Sequence, residues 1–398
     1  MCRTDEYARL LESKNLWPVD ASVEQNWSGR GQHVEFRKGE RKLINNLLEV
    51  HETLGSTTSA IVQSVKCLRV LLARKTISTG RHFSKAQAIE EVAHLTRLKH
   101  AHILQVIGTY VIGKELSILL YPVAKCNLQV FLERARTSSL GETVPRDVLI
   151  LCRLCFSCLS AAVHFIHERM TKHMDIKPQN ILVYDRQRPS TTAKSLSIDP
   201  RYRSRYTVLI ADFGIARSYQ SFDAIETDGG TAFTPKYAAP EVAEQERRGF
   251  PADIFSLGCV FLELCAFIND AISAVSTTRQ HDKLTSTLSS NVDGDFSYQA
   301  NIEALVEYIY SLDHSLITQF IFLSPLKYPR NVGYMIFEML RKSPHDRPSA
   351  IKIMDSFDRQ DCCEGPPCPL EAFEEVAESD REDELENNVD DEAMEMEA

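Results

Sequence analysis

HMDIKPQN, residues 173–180, places an acid (Asp175), a lysine (Lys177) and an amide (Asn180) within a few positions of one another. Polar clusters around a proline commonly form surface turns. The stretch alone therefore leaves two interpretations open, a turn or the working part of an active site. Met174 stands directly beside the acid, at a position where a polar residue would be expected.

A second stretch, TVLIADFGIAR (207–217), follows a similar pattern. A β-branched strand delivers Asp212, and Gly214 then permits a sharp change of direction. We expect two strands, each ending in polar residues, to place Asp212 at the same sheet edge as the polar residues of HMDIKPQN. Oxygen ligands from Asn180 and Asp212 are the ligands that Mg²⁺ prefers beside phosphate oxygens.

The remaining polar residues of HMDIKPQN have separate tasks in this interpretation. Asp175 stays free of the metal and can accept the proton of a hydroxyl group. Lys177 can neutralise charge on a transferring phosphoryl group. The combination of metal ligands, base and lysine indicates phosphoryl transfer.

With these residues in view, the chain resembles the eukaryotic protein kinase family. HMDIKPQN is similar to the catalytic loop, DFG (212–214) to the magnesium loop, and AAPE (Ala238–Glu241) to the end of the activation segment. The three motifs occur in the family's order, and the resemblance covers roughly residues 48 to 355. TPKYAAPEV and DIKPQNILV are similar to divergent serine/threonine kinases frequent in fungi.

The order of predicted elements agrees with this family. Strand patterns fill most of the region up to about residue 123, with one helix at 85–100, and helical patterns dominate after about residue 127. We predict an α+β, bilobal protein-kinase-like fold with a small β-rich N-lobe (48–123) and a larger, mainly helical C-lobe (124–355). Residues 1–47 are predicted to be an N-terminal extension, 184–206 an inserted loop, and 356–398 a linker with a disordered tail.

The resemblance implies an ATP site. Lys75 matches the strand lysine that grips the α- and β-phosphates, and Glu91 matches its ion-pair partner. Glu90 competes for that assignment, and Glu91 is preferred because Leu95 and Leu98 then fall on the inward stripe of the helix. The residues implied to bind ATP are Gly55, Val62, Ala73, Lys75, Leu120, Tyr121, Val123 and Leu182. ATP and Mg²⁺ are the implied cofactors.

Other residues match positions that support the catalytic loop. Thr234 resembles the activation-segment threonine that supports substrate binding and Asp175 in serine/threonine kinases. Asp253 matches the helix aspartate that braces the catalytic-loop backbone. Glu241 is expected to pair with Arg347, and removing one partner of such a buried pair commonly costs about 3–5 kcal/mol.

Two positions depart from the family pattern. The phosphate-covering loop should contain three glycines, but LGSTTSAIV has Gly55, Thr57 and Ala60 in their places. Only the first glycine remains, so nucleotide affinity or rate is reduced unless small residues suffice. Met174 replaces an arginine that normally binds a phosphorylated activation-loop residue. We therefore predict that activity survives alanine replacement of Ser218, Thr227 and Thr231; a collapse that phosphomimics restore would contradict this.

Eleven cysteines without a secretory signal indicate reduced thiols in the cytosol or nucleus. CxxCxxC (Cys152, Cys155 and Cys158) has helical spacing, and we interpret it as a core stripe in preference to an iron–sulfur or zinc site. CCEGPPCP (362–369) is interpreted as an ordinary linker, because no histidine or further thiol completes a ligand set in the sequence around it.

The tail from Glu371 to Ala398 carries 14 acidic residues and one basic residue, while the whole chain has a formal charge of −10. Such a segment cannot bury enough apolar surface to fold, and it is either a solubilising appendage or a docking segment for a basic partner. No stretch reaches the roughly 18 consecutive uncharged apolar residues that a membrane span needs. Protein substrates with Ser or Thr are the expected partners, and no nucleic-acid or membrane partner is expected.

Three functions remain open at this point. An active serine/threonine kinase accounts for the complete set of catalytic residues. A pseudokinase-like scaffold with weak or no transfer would account for the altered glycine loop. A small-molecule kinase on the same fold is disfavoured by AAPE and Thr234, which suit a peptide-binding activation segment.

Overall fold

The structure is a computed structural model. It describes residues 5–20, 23–56, 60–78, 85–138, 143–186, 205–214, 216–218, 234–246, 248–272, 279–291, 293–321, 332–357 and 363. The described chain forms two compact units. The first comprises residues up to Lys99 together with Gln105–Val123, and the second comprises His100–Leu104 together with the chain from Ala124 to Glu364.

The first unit is built on a six-stranded sheet with the strand order β1-β5-β6-β4-β3-β2. Its strands are β1 (His33–Phe36), β2 (Glu49–Ser56), β3 (Ala60–Cys67), β4 (Val70–Ser78), β5 (Gln105–Ile112) and β6 (Glu115–Tyr121). Its helices are α1 (Asp5–Ser13), α2 (Arg41–Leu47) and α3 (Lys85–Arg97). Neighbouring strands are antiparallel except β1, which pairs with β5 in parallel.

The N-terminal extension is part of this unit. Strand β1 supplies the sixth strand of the sheet, and α1 packs against α3. Trp27, Val34 and Phe36 belong to the same buried cluster as Leu72 and Tyr110. Strand β1 was not predicted, because it is only four residues long and pairs with β5, which lies far along the chain.

The second unit is mainly helical. Its helices are α4 (Leu128–Ser138), α5 (Arg146–Glu168), α6 (Pro240–Ala243), α7 (Pro251–Ile272), α8 (Gln280–Leu288), α9 (Ile302–Ser311), α10 (His314–Ile321), α11 (Val332–Met339) and α12 (Ala350–Met354). Its short strands are β7 (Cys126–Asn127), β8 (Thr171–Lys172), β9 (Ile181–Asp185), β10 (Tyr206–Ile210) and β11 (Arg217–Ser218). The predicted α+β fold class, with a β-rich N-terminal part followed by a helix-rich part, is confirmed.

Helices α5 and α7 form the core of the second unit. Both are long and apolar enough to cross a membrane by length and composition, but 78% and 89% of their most apolar windows are buried inside the unit. Phe156 of α5 and Phe261 of α7 lie 4.6 Å apart between ring centroids, and Phe357 contacts both. Packing in this core therefore accounts for their apolar character.

Helix α8 was not predicted. It lies in a polar stretch whose composition suggests a loop, and Leu284 and Leu288 are its buried residues. Their four-residue spacing puts both on one face, which packs against α7 and α9. Two apolar residues are a weak periodic signal, so burial against neighbouring helices decides this element.

Candidate active site

The catalytic loop connects β8 to β9 and gathers polar side chains around one carboxylate. Asp175 Oδ1 accepts a hydrogen bond from Thr234 Oγ1 at 2.7 Å. Asp175 Oδ2 accepts from Lys177 Nζ at 2.7 Å and from Asn180 Nδ2 at 2.8 Å. The structure thus brings together Asp175, Lys177, Asn180 and Thr234, although Thr234 lies 59 residues beyond the acid.

Thr234 connects the two charged groups of the loop. Lys177 Nζ donates to Thr234 Oγ1 at 2.6 Å, while the same hydroxyl donates to Asp175. The hydrogen bonds hold the carboxylate of Asp175 in one orientation, and because Asp175, Lys177 and Thr234 are half-buried, it remains reachable from solvent.

Asp253 fixes the backbone of the same loop from the first turn of α7. Its carboxylate accepts hydrogen bonds from the backbone N–H groups of His173 (2.9 Å) and Met174 (2.7 Å) and lies 3.0 Å from His167 Nε2. Burial by itself would raise the pKa of Asp253, but the hydrogen bond and electrostatic attraction of His167 hold this pKa below its usual value. Asp253 therefore stays ionised while buried.

Met174 adopts a left-handed backbone conformation, with φ of 68°. Such a conformation is uncommon for a residue with a side chain and costs of order 1–2 kcal/mol. The hydrogen bond from its N–H to Asp253 stabilises it.

His173 is a positioning residue that the sequence analysis did not assign. Its Nδ1 lies 3.3 Å from the N–H of Asp175, and its Nε2 lies 3.1 Å from the carbonyl oxygen of Ala211. Because a carbonyl only accepts, Nε2 carries the proton and Nδ1 accepts. The ring also meets Phe213 edge-on, with centroids 4.6 Å apart. His173 therefore links the catalytic loop to the DFG segment.

Asn180 and Asp212 lie at one edge of the β9–β10 pair. Asn180 immediately precedes β9 and Asp212 follows β10, and the antiparallel register sets Ile181 opposite Ile210. The backbone N–H of Ala211 donates to the carbonyl of Asn180 at 2.9 Å. This corrects one detail of the sequence analysis, since Asn180 stands at the start of a strand and not at the end of one.

The donors of this edge fit a hard divalent cation. Asp212 is exposed and has a left-handed backbone, with φ of 64°. The amide nitrogen of Asn180 donates to Asp175, which leaves the amide oxygen as the atom that can bind a cation. A carboxylate and an amide oxygen are both suitable ligands for Mg²⁺.

In the first unit, Lys75 of β4 binds Glu91 of α3. Lys75 Nζ donates to both carboxylate oxygens, at 2.8 and 2.9 Å. Glu91 is 3% exposed, whereas Glu90 is 44% exposed and pairs with Lys14. The structure therefore contains the Lys75–Glu91 pair in preference to the Glu90 alternative.

Residues assigned to ATP binding share one face of the six-stranded sheet. Gly55 lies opposite Val62, and Val62 lies opposite Lys75. Ala73, two residues from Lys75 on the same strand, lies opposite Leu120. Because directly opposed residues point to the same face, these side chains form a continuous surface within the first unit.

The other residues assigned to ATP binding lie at strand ends and in the second unit. Tyr121 ends β6 and Val123 follows two residues later, both half-buried. Leu182 is a half-buried residue of β9 in the second unit. Their contacts with a nucleotide stay a prediction.

The predicted ion pair between Glu241 and Arg347 is present. The two nitrogens Nη1 and Nη2 of Arg347 donate to the two oxygens of Glu241 at 2.7 and 2.8 Å. Both side chains are buried, and Arg347 Nη1 also donates to the carbonyl of Pro251 at 3.0 Å. The pair joins the last residue of AAPE to the segment between α11 and α12, and the bond to Pro251 joins that segment to the start of α7.

The cysteines of CxxCxxC are buried on α5, as a core stripe would be. The interpretation of the C-terminal CCEGPPCP segment needs correction at one position. Cys363 lies within reach of His102 and Cys158, so a histidine and a further thiol do stand beside it. Sequence reasoning missed this cluster because its members are 205 and 261 residues away from Cys363.

Several sequence predictions fall outside the described residues. They concern Thr57, Thr227, Thr231, Cys362, Cys368, residues 187–204 of the insertion and the acidic tail. The ends of the insertion are described: Arg186 N–H donates to the carbonyl of Arg205 at 2.9 Å, and Arg205 binds Asp185 through two hydrogen bonds. The two ends of the insertion are therefore hydrogen-bonded to each other at the end of the β9–β10 pair.

A protein-family model and individual proteins match this chain. The protein kinase domain model matches residues 48–357, which is most of the chain. The chain is 30% identical over 178 residues to cell division control protein 2 homolog 2 of Trypanosoma brucei brucei, covering 44% of this chain and 43% of the relative.

Two further relatives are similar over about the same share of the chain. The match to serine/threonine-protein kinase atg1 of Schizosaccharomyces pombe is 27% identical and covers 44% of this chain and 22% of that protein. The match to mitogen-activated protein kinase kinase kinase 3 of Arabidopsis thaliana is 31% identical and covers 44% and 26%. The chain thus spans less than half the length of each relative. The protein kinase domain model matches most of the chain, including the cluster around Asp175 and the Lys75–Glu91 pair. The chain therefore belongs to the eukaryotic protein kinase superfamily.

Proposed function

We propose that this chain is a protein serine/threonine kinase that transfers the γ-phosphate of ATP to Ser or Thr hydroxyls of protein substrates, with Mg²⁺ as the metal. Membership of the superfamily implies the use of ATP and a divalent metal in general. The observation that supports the finer proposal is the cluster of Asp175, Lys177 and Thr234. The hydroxyl of Thr234 forms hydrogen bonds with both the acid and the lysine, an arrangement suited to positioning a small alcohol group.

In the proposed reaction, Asp175 accepts the proton of the substrate hydroxyl as its oxygen bonds to the γ-phosphorus. The bond between that phosphorus and the bridging oxygen of ADP breaks, and ADP leaves with the electron pair. Lys177 stabilises the negative charge on the transferring group. Thr234 holds the acid in the orientation that receives the proton.

Asn180 and Asp212 would hold Mg²⁺, which neutralises phosphate charge when bound. The bonds from Asn180 to both the backbone carbonyl and the side chain of Asp175 keep its amide in one orientation. His173 supports the same arrangement, because its ring forms hydrogen bonds with the N–H of Asp175 and the carbonyl oxygen of Ala211.

Lys75 and Glu91 supply the nucleotide-binding charge of the first unit. Glu91 is almost completely buried and binds the lysine with both oxygens, so the ammonium group has a fixed position. A fixed ammonium can bind α- and β-phosphates without a large loss of side-chain entropy.

The test compares phosphoryl transfer and ATP binding in the wild type, Asp175→Asn, Asp212→Asn and Lys75→Met. We expect Asp175→Asn to reduce turnover about 10²–10⁴-fold with ATP binding retained. Lys75→Met and Asp212→Asn should weaken Mg²⁺-dependent ATP binding as well as transfer. Wild-type turnover no greater than that of Asp175→Asn on serine, threonine and protein substrates would overturn the proposal.

A scaffold with weak or no transfer is the second candidate, and the β2–β3 hairpin favours it. Strand β2 is exposed along its entire length, and two of the three expected loop glycines are replaced. ATP binding without transfer in the wild-type protein is the result that distinguishes this candidate from an active kinase.

We also propose a reducing compartment, the cytosol or nucleus, as the site of action. None of the eight cysteines in the described part of the chain is in a disulfide bond. For the acidic tail we propose docking to a basic partner. Truncation after Leu370 should then abolish salt-sensitive binding of that partner while phosphoryl transfer to a short peptide is retained; equal binding by both forms would contradict this.

A further inference from the structure

A cluster of sulfur and nitrogen ligands lies in the second unit, away from the catalytic loop. Cys363 Sγ is 3.4 Å from His102 Nε2 and 3.9 Å from Cys158 Sγ. All three ligand atoms lie within 4.8 Å of one another. His102 and Cys158 are buried, with 0% and 2% exposure, and Cys363 is half-buried.

The orientation of His102 fits a metal ligand. Its Nδ1 lies 2.9 Å from the carbonyl oxygen of Val208 in β10. A carbonyl oxygen only accepts hydrogen bonds, so Nδ1 carries the proton and Nε2 presents its lone pair to the cysteine sulfurs. Histidines that bind metals commonly donate their other ring N–H to a carbonyl or carboxylate in this way.

The backbone around His102 holds the ring in place. Ile210 N–H donates to the carbonyl of His102 at 2.8 Å, and Leu104 N–H donates to the carbonyl of Ile210 at 3.1 Å. These bonds attach residues 100–104 to the end of β10. The imidazole therefore has a fixed position before any ligand binds.

Two of the three separations agree with tetrahedral coordination, and the third, between His102 Nε2 and Cys158 Sγ, is at most 4.8 Å. With Zn–S of about 2.3 Å and Zn–N of about 2.0–2.1 Å, a tetrahedral site separates two sulfurs by about 3.8 Å and a sulfur and a nitrogen by about 3.5 Å. The observed separations are 3.9 and 3.4 Å. A disulfide would need a sulfur–sulfur distance of about 2.05 Å, and it would not involve the imidazole.

We propose that His102, Cys158 and Cys363 bind one Zn²⁺ ion. The thiolate and imidazole ligands suit zinc, which prefers nitrogen and sulfur donors in tetrahedral sites. Binding converts two thiols to thiolates and releases two protons, so the affinity falls as the pH falls. Water or a further group supplies the fourth ligand.

The site would connect three parts of the chain. Cys158 belongs to core helix α5, His102 to the segment His100–Leu104, and Cys363 lies beyond α12. Cys363 is 261 residues from His102 and 205 residues from Cys158. Zinc would thus attach the segment after α12 to the core of the second unit. Because it would bind the folded chain more tightly than the unfolded chain, it would stabilise the folded state.

The test uses the full chain, purified with reductant, loaded with zinc sulfate and freed of unbound metal. Zinc is measured by elemental mass spectrometry, and Co²⁺ replacement is followed by thiolate-to-cobalt absorption. We expect one zinc per wild-type chain and at least a tenfold lower affinity in Cys363→Ser and in Cys158→Ala. The matched control is Cys126→Ser, which removes a half-buried thiol outside the cluster and should retain one zinc.

Three outcomes would overturn the proposal. They are a loaded wild-type chain with less than a tenth of an equivalent of zinc, unchanged zinc affinity in Cys363→Ser, and recovery of a Cys158–Cys363 disulfide from zinc-free protein. Because Cys158→Ala changes a core residue, alkylation of Cys363 in the wild type provides a second measurement. Zinc should slow this reaction at least tenfold, and equal rates with and without zinc would also overturn the proposal. Neither readout depends on phosphoryl transfer.

Discussion

The catalytic loop and the β2–β3 hairpin both belong to the kinase domain, yet they are built in opposite ways. In the loop, His173 is fully buried, and Asp253 and Thr234 hold its backbone and its acid. In the hairpin, β2 is exposed at every position and its pairing with β3 shifts register twice. The loop is fixed by residues far away in the chain, whereas the hairpin depends mainly on its own strand pairing.

This difference accounts for one of the two departures from the family pattern, the loss of glycines in the hairpin. An added Cβ at Gly55 would meet no atom within 4 Å, and its φ lies outside the left-handed region. The folded chain by itself therefore does not require glycine there. The catalytic loop tolerates little change because each polar group contacts several others. We expect departures in the hairpin to affect nucleotide binding alone, and departures in the loop to affect folding as well.

Breaking the support of the catalytic loop should have the largest effect on stability. Asp253→Asn should lower the free energy of unfolding of the second unit by about 3–5 kcal/mol, because backbone N–H groups and His167 lose a buried charged acceptor. Chemical denaturation measures the change. The control Asp185→Asn removes a surface pair with Arg205 and should cost at most about 1 kcal/mol. Equal costs would contradict the comparison.

The next prediction concerns the opposite edge of the sheet from β2. His33 of β1 is buried, with Nδ1 2.7 Å from Thr109 Oγ1, and desolvation lowers its pKa from 6.5 to about 4. The unfolded chain therefore binds this proton more tightly than the folded chain. The stabilisation is complete above pH 6.5 and is lost as the pH falls towards about 4, by about 3 kcal/mol in total.

The control for His33 is His33→Gln, which keeps a polar group beside Thr109 but does not titrate. Unfolding experiments between pH 7 and 4 should show a steeper loss of stability in the wild type than in this variant. Parallel pH profiles for the two proteins would show that His33 does not contribute. A confirmed difference would place the rigid part of the first unit at β1, far from the hairpin in strand order.

A smaller effect is expected for the lysine pair that lies beside the hairpin strands. Glu91→Gln should weaken ATP binding about tenfold, since Lys75 loses its charged partner. Glu90→Gln is the matched control, because Glu90 is exposed and pairs with Lys14 instead. Calorimetry with ATP and Mg²⁺ measures both. A larger effect of Glu90→Gln would refute the assignment.

The smallest effect is expected in the hairpin itself. Gly55→Ala should change the free energy of unfolding by less than about 0.5 kcal/mol, because its Cβ enters open space. Gly108→Ala is the contrasting control, since its Cβ would overlap the carbonyl oxygen of Gln32 and the indole nitrogen of Trp27. Thermal unfolding measures both variants. A cost above 1 kcal/mol for Gly55→Ala would show that the hairpin is more tightly fixed than we infer.

Much of the candidate site could be predicted because its signals are local. The spacing of Asp175, Lys177 and Asn180 lies within one short loop, and Asp212 follows a recognisable β-branched strand. The supporting role of His173 was missed, since it depends on the carbonyl of Ala211, 38 residues away. Strand β1 and helix α8 were missed for the same reason, as their weak local patterns are stabilised by distant elements.

The sequence by itself determined that a strand-rich part precedes a helix-rich part, and it determined the catalytic motifs and the family, because periodicity and motif spacing are properties of short windows. Only the tertiary structure decided which distant residues meet. It paired Lys75 with Glu91 and not Glu90, set Asp253 beneath His173 and Met174, and brought Cys363 to His102 and Cys158. These contacts join residues separated by 16 to 261 positions, and they exist only because burial of the two cores fixes where each element lies.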